Sequence, residues 1–562
     1  MDILLFSLLT NFLYFCCGNI FVINKKTDFL SQFYTYFVGV ATVAFVSLFL
    51  NFFTPLNQTI NSAFYSIIVL IFAIFVIKKK FIFNKRHINF LIISSFITYL
   101  LIIYSTVNRP DAGLYHLPYT SLIQENKIII GASNIHFRFG HVSILQYLSA
   151  INNNYLFLNN GISIPAASVV SFFYIYFFYD VWSAYKKKEK INFANFFSLF
   201  ILIYISFKIT GYGSFGNDAI GHLCFFYIIS CVLKYDLKKI NIEKLLLISV
   251  IAFINKPTLG LIFIIPIYTF ILQNALSIKK LFFISFSFPT LLLYLWLSKN
   301  ILISGCSIFP IKITCIEKLS WTNIEQITNV NIESNAWAKA WPDRINKNIS
   351  VEEFTKNLNW VKSWSKFHLK YILNTIAPFF ITLAIIIFYI KIKHKNLLYL
   401  NNKLRGEKNI SINTLYLPLI TSSFGCIFFF LFFSIYRYGY SYIVTFISLI
   451  AIIIVKNEIS SKRYNLLFKF VAILCVSFFI TKNIIKIYKN NSQTIWPNIY
   501  TLDINNKIFE KKKINHGNNF FYYLADKSDN LCMYSPSPCT TYPISKNIKY
   551  IEKYTYKILT HY

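Results

Sequence analysis

Between Asn108 and Ala150 the chain reads NRPDAGLYHLPYTSLIQENKIIIGASNIHFRFGHVSILQYLSA. This stretch holds Asp111, His116, Glu125, His136, Arg138 and His141, and apolar runs long enough to cross a bilayer flank it. A carboxylate at a membrane surface is partly desolvated and suits a general base. Taken alone, Asp111 after Arg109-Pro110 reads better as a helix-end or turn residue. A carboxylate, several histidines and an arginine in one loop are harder to explain by packing and point to chemistry.

Six further positions join the candidates. Asp218, in TGYGSFGNDAIGH, falls in the first turn of a predicted helix, where a carboxylate favours the dipole. Its functional reading places it opposite Asp111, sharing a divalent metal ion or orienting an acceptor hydroxyl. Lys256 lies between two predicted helices, and Arg437 lies in the short turn SIYRYGYSY beside Tyr438. Charges near spans are costly and often functional, and a guanidinium suits phosphate; snorkelling to headgroups is the alternative. Trp337 and Trp341, in SNAWAKAWPDR, have the i, i+4 spacing of one helix face. They suit stacking on a sugar ring or anchoring in the membrane interface.

The cysteines divide by position. Cys16, Cys17, Cys224, Cys231, Cys426 and Cys475 fall in predicted helices, where a thiol is a small apolar side chain. Cys306 with Cys315, and Cys532 with Cys539, form two local pairs, expected as disulfides in an oxidising compartment. Free thiols or a metal site are the other options. No CxxC or HExxH spacing signals zinc.

The elements that must position these residues are membrane helices. The chain is 56% hydrophobic and 14% charged, against roughly 25% charged in soluble domains. Apolar runs near 20 residues match a hydrocarbon core of about 30 Å. The expected fold class is an all-α polytopic membrane protein with about 13–14 transmembrane helices. They are predicted at 3–23, 33–53, 62–77, 88–107, 162–182, 191–208, 218–234, 243–255, 257–273, 280–298, 371–390, 413–434, 441–455 and 464–482. Pro257 favours splitting the apolar segment at Asn255-Lys256; one kinked or re-entrant helix is the alternative. The N-terminus lacks a basic n-region and a cleavage site, so it reads as a retained helix.

The formal net charge of +33 would suit nucleic acid, but its placement argues against that partner. Much of it lies in short loops at 25–26, 78–86, 186–190, 234–244, 279–280, 391–408 and 456–463, the positive-inside pattern. With those loops cytoplasmic, the other loops and both termini lie outside without a violation. The excess of Ile, Asn, Lys and Phe reads as an AT-rich bacterial genome. The expected division is 1–87, N-terminal helices; 88–298, a core with a loop at 108–161; 299–370, a periplasmic insertion; 371–482, C-terminal helices; and 483–562, a periplasmic tail. Within the 108–161 loop, amphipathic helices at about 116–127 and 141–153 are expected to lie in the membrane interface.

An acid in a large outside loop after a spanning helix, interfacial helices behind it, a second acid at a helix start and a late outside arginine resemble one known superfamily. This is the C-type (GT-C) superfamily of polytopic glycosyltransferases, which use polyprenyl-phosphate sugars. More narrowly, PDAGLYHLP, NIHFRFG, SGCSIFP, RYGYSY and CMYSPSPC resemble an uncharacterised family of bacterial membrane proteins. The superfamily resemblance implies inverting sugar transfer to a lipid, glycan or protein acceptor at the periplasmic face of the inner membrane. It implies Asp111 as base, with His116 beside it, Asp218 as the secondary acid, and Arg437 on the donor phosphate. Arg138, His141, Lys256, Tyr438 and Trp337 then complete the substrate contacts. The chain departs from the pattern in having Ala112 after Asp111 and three helices before the one that carries the loop.

Three other readings compete, one of them a membrane scaffold without chemistry, which would leave the loop's ionisable cluster unexplained. A polysaccharide polymerase or ligase would work through Arg138, His136 and His141, with Asp111 dispensable. A transporter or flippase would show repeated halves and broken helices; only the Asn255-Lys256-Pro257 break hints at that.

Overall fold

A computed structural model describes residues 1–22, 29–78, 81–105, 111–187, 191–213, 215–273, 278–341, 350–400, 413–456, 464–501, 511–517, 520–525 and 531–561. Lys25-Lys26, Arg109-Pro110 and parts of the lysine runs at 78–86, 186–190, 391–408 and 456–463 lie outside these residues.

The apolar runs form helices, and the chain is a polytopic helical protein. Among the described residues, eight helices are long and apolar enough to cross a membrane. They are Asp2–Phe21, Ser31–Phe53, Gln58–Ile77, Leu158–Lys186, Phe193–Tyr212, Val361–Lys393, Thr414–Phe432 and Asn465–Lys489. The shorter apolar helices Pro257–Leu272, Phe288–Ser304 and Tyr440–Ile454 pack among them. Burial orders the bundle. The apolar window of Leu158–Lys186 is 94% buried and that of Gln58–Ile77 only 22%, so the first is central and the second peripheral. Peripheral helices expose Leu70, Ile74, Phe470 and Ile473, a surface suited to lipid tails. Where helices Asp2–Phe21 and Phe29–Phe53 cross, a Cβ on Gly39 would stand 1.8 Å from the Tyr14 carbonyl oxygen. Only glycine permits that backbone contact.

The Pro257 break is a true reversal. Helix Ile242–Asn255 ends there, Lys256 is extended, and Pro257–Phe263 leads into Ile264–Leu272. Gln273 donates to the carbonyls of Leu237 and Ile240, 2.7 and 2.9 Å away, so the two arms run antiparallel. Three expectations need correction. The helix predicted at 280–298 is two, Ile278–Ser285 and Phe288–Ser304, because Pro289 starts a new helix. The helix predicted at 88–107 ends at Ile102, and Tyr104 takes a left-handed φ of 49°. The loop helices are Leu117–Glu125 and Ile144–Ile151, and neither lies open at an interface. Every residue of Leu117–Gln124 and of Ile144–Ile151 is buried in protein.

Ile144–Ile151 is packed against Leu117–Glu125 and the bundle helices Phe29–Phe53 and Ile164–Lys187, whereas Leu117–Glu125 is also covered by the tail, which adds a β element to the helical fold. Strands Lys511–Asn515 and Phe521–Ala525 pair antiparallel, Cys539–Thr540 joins the second in parallel, and Ile548–Lys553 forms a hairpin with Tyr556–His561. Segments such as KKKIN and IKYIEK are too charged to read as apolar runs. Leu559 N donates to Ile130 O, and Ile130 N to Lys557 O, both at 2.9 Å. Met533 N donates to Gly113 O at 2.8 Å, and His561 N to Ser320 O at 2.9 Å. The loop, the insertion and the tail thus form one cap on one end of the bundle.

Candidate functional site

Four segments far apart in sequence meet beneath this cap. Asp111 starts a helical stretch that runs to Glu125, its first turn, Ala112–His116, widened to a π-turn. Such turns recur at functional sites because they re-aim side chains. Asp218 is the first residue of helix Asp218–Lys234. Lys256 is at the tip of the antiparallel hairpin, and the Asn217 amide donates to Asn255 O at 2.7 Å, tying the two tips together. Arg437 sits in the turn before helix Tyr440–Ile454. That turn is gripped from the insertion: the Trp364 indole N–H donates to Ser434 O at 2.7 Å, and Tyr436 stacks on Tyr371.

The four side chains alternate in charge. Arg437 pairs through Nη2 with Asp111 Oδ2, and its Nε is 3.6 Å from Asp218 Oδ2. Lys256 Nζ pairs with Asp218 Oδ1 and lies 3.9 Å from the centre of the Tyr438 ring. Side-chain exposure falls along this row, from 25% at Asp111 and 24% at Arg437 to 12% at Asp218 and 5% at Lys256. Asp111 and Arg437 stand at the mouth, and Lys256 at the closed end. Burial alone would raise the Asp111 carboxyl; the charge and hydrogen bond of Arg437, with His116 and Arg138, hold it below its ordinary value.

His116 is buried and its orientation is set. The Ser143 backbone N–H donates to Gln146 Oε1 at 3.1 Å, and the Ser143 hydroxyl does so at 2.7 Å. The other end of that carboxamide, Nε2, therefore faces His116 Nδ1 as a donor. Nδ1 accepts, so the imidazole carries its proton on Nε2. Ser143 and Gln146 form the reciprocal cap of helix Ile144–Ile151, and the S-x-x-Q spacing that signals it is legible in the sequence.

Arg138 and His141 face the same group of charges. Burial, then the charge of Arg138, push His141 down to about 4, with Asp111 partly opposing. His136 belongs to the cap instead. It accepts from Arg138 N at 3.1 Å, lies against Tyr542 of the tail, and is pushed down to about 3 by burial, Arg138 and His141. Trp337 is 44% exposed near the end of helix Ile324–Ala338. Trp341 is not on its face: the helix stops at Ala338 and Ala340 turns the chain with φ 62°. Cys306–Cys315 and Cys532–Cys539 are disulfides. Among the described residues no group of three or more His, Cys, Asp and Glu could hold a metal ion. The guanidinium of Arg437 lies between the two carboxylates that a shared metal would need.

Three contributors gain their roles only from the packing, although Tyr115 stands beside His116 and the capping spacing of Gln146 is legible in the sequence. Gln146 orients His116; Tyr115 lies within the field of Asp111, Arg437, Tyr438 and Asp218; and Trp364 holds the Arg437 turn.

The chain belongs to the family described as Domain of unknown function (DUF8201), whose profile matches residues 1–444. No curated protein and no solved structure matches it.

Proposed function

As a reading of this member of the family, we propose a GT-C-like membrane glycosyltransferase. It moves a sugar from a polyprenyl-phosphate donor to a lipid, glycan or protein acceptor. Its 13–14 spans include the shorter apolar helices, and its site faces the periplasm across a bacterial inner membrane. The observation that carries the reading is the convergence of Asp111, Asp218, Lys256 and Arg437 at one end of the bundle.

The acceptor oxygen attacks the anomeric carbon, the carbon–oxygen bond to phosphate breaks, and the polyprenyl phosphate leaves with the electron pair. The acceptor proton goes to Asp111. With one attack and no covalent intermediate, the anomeric centre inverts. Arg437 and Lys256 stabilise the leaving phosphate. In the resting ion pair Asp111 is a weak base. A donor phosphate competes for Arg437, and once that partner turns away, burial raises the carboxyl into a useful range. Arg437 supplies the positive charge between the carboxylates for which a divalent ion was the alternative.

The test is sugar transfer from polyprenyl-phosphate hexoses and pentoses by membranes bearing wild type, Asp111→Asn or Arg138→Ala at equal expression. Loss of transfer in Asp111→Asn with retained donor binding is expected. Full activity in that variant would sink the base assignment. If Arg138→Ala alone is inactive, the polymerase or ligase reading replaces this one.

A further inference from the structure

Away from the charged row, the cap holds a cavity of about 340 Å³. Its lining comes from the start of helix Gln58–Ile77, from Gln124, from the 153–159 segment and from Tyr534 of the tail. No lining residue is charged; carboxamides and hydroxyls dominate it. The amides are held by one another. Gln58 Nε2 donates to Asn153 Oδ1 at 3.2 Å, Asn153 Nδ2 to Asn159 Oδ1 at 2.8 Å, and Tyr534 OH to Gln124 Oε1 at 2.5 Å. Thr59 and Tyr155 share a hydrogen bond of 2.8 Å. A carboxamide offers two N–H groups and two lone pairs. In these contacts Gln58 and Asn159 each use one N–H and at most one lone pair, so each keeps donor and acceptor capacity for a ligand.

The segment is built with strain and close contact. Leu158 is exposed yet takes a left-handed φ of 51°. A Cβ on Gly161 would stand 2.0 Å from Asn152 O. Strained, exposed backbone of this kind points to function. Tyr155 presents an exposed ring at the rim. Paired donors and acceptors with an aromatic face, and no charge, are the chemistry that recognises the hydroxyls and the apolar face of an uncharged sugar.

We infer that this cavity is a binding subsite for an uncharged glycan. Resting on the transferase reading, it is where the acceptor chain is held. Asp111 and Gln124 bound one continuous helical stretch, 124 − 111 = 13 residues, about 20 Å at 1.5 Å per residue. An acceptor of several sugar units in line would reach from the cavity to the base.

The experiment is saturation-transfer NMR on the full chain in detergent, with neutral tetrasaccharides of glucose, mannose, galactose and N-acetylglucosamine. A hexuronic-acid tetrasaccharide serves as the charged control. Saturable binding of at least one neutral tetrasaccharide is expected, with the hexuronate binding more weakly. Asn159→Ala and Tyr155→Ala each weaken it about three- to tenfold. Both positions lie at the surface, and an unchanged elution profile shows that the variants fold. No binding across the panel, equal binding of the hexuronate, or unchanged binding in both variants would overturn the subsite. A transferase reading that fails shows instead as retained transfer in Asp111→Asn, whatever the glycan binding.

Discussion

Arg437 and Asp111, 326 positions apart in sequence, form an ion pair at the mouth of the site, and the same guanidinium reaches Asp218. One cation thereby bridges two carboxylates on different elements. Arg437→Gln leaves both with less compensation, and destabilisation of about 2–3 kcal/mol is expected. Asp111→Asn combined with it restores part of that loss. A double-mutant cycle from thermal unfolding in detergent checks this. Additive losses would show that the two side chains do not interact.

The cap should weaken in mild acid. Unfolded imidazoles titrate near 6.5, whereas folded His136 and His141 titrate at about 3 and about 4. Between those values the unfolded chain binds more protons, so stability falls as pH drops from about 6.5 toward 4. The depressed Asp111 carboxyl contributes stability that is complete above its ordinary value of 3.8, so it does not enter this window. Unfolding temperature measured from pH 8 to 4.5 should be level above about 7 and then decline. His136→Gln should flatten the decline. A decline unchanged in that variant would exclude His136 as its source.

Gln146 should control the tautomer of His116. Gln146→Glu keeps an oxygen for Ser143 and removes the amide donor that faces Nδ1. The imidazole proton then moves to Nδ1. Histidine ¹⁵N shifts read the exchange directly, and sugar transfer should fall about tenfold or more. Unchanged ¹⁵N shifts would show that Gln146 does not set the tautomer.

Peptide mapping without reduction should recover Cys306 joined to Cys315 and Cys532 joined to Cys539. The other cysteines, five of them buried, should alkylate only after denaturation. Replacing Cys532 and Cys539 by Ser opens a short loop worth about 2–3 kcal/mol of closure entropy. Because Met533, Tyr534 and Ser535 bind the Asp111 helix, limited proteolysis should then cut the tail near residue 533 sooner. Equal protease resistance would show that the tail does not depend on the bridge.

By itself the sequence determined the helical membrane class, most of the helix positions and a short roster of ionisable residues. Apolar runs of membrane length can do little else in lipid, where every backbone polar group must be paired within the segment. Charges between such runs are conspicuous, so Asp111, Asp218, Lys256 and Arg437 stood out before any packing was known. The tertiary structure decided which of them meet. It brought Arg437 between two acids, turned the Lys256 hairpin back on itself, and set Trp337 and Trp341 on separate faces. It also folded the charged tail over the Leu117–Glu125 helix and packed Ile144–Ile151 into the bundle, so neither lies open at an interface. The physical reason is the range of the interactions. Helix formation and hydropathy are read within some twenty residues, whereas an ion pair such as Arg437–Asp111 depends on how the whole bundle packs.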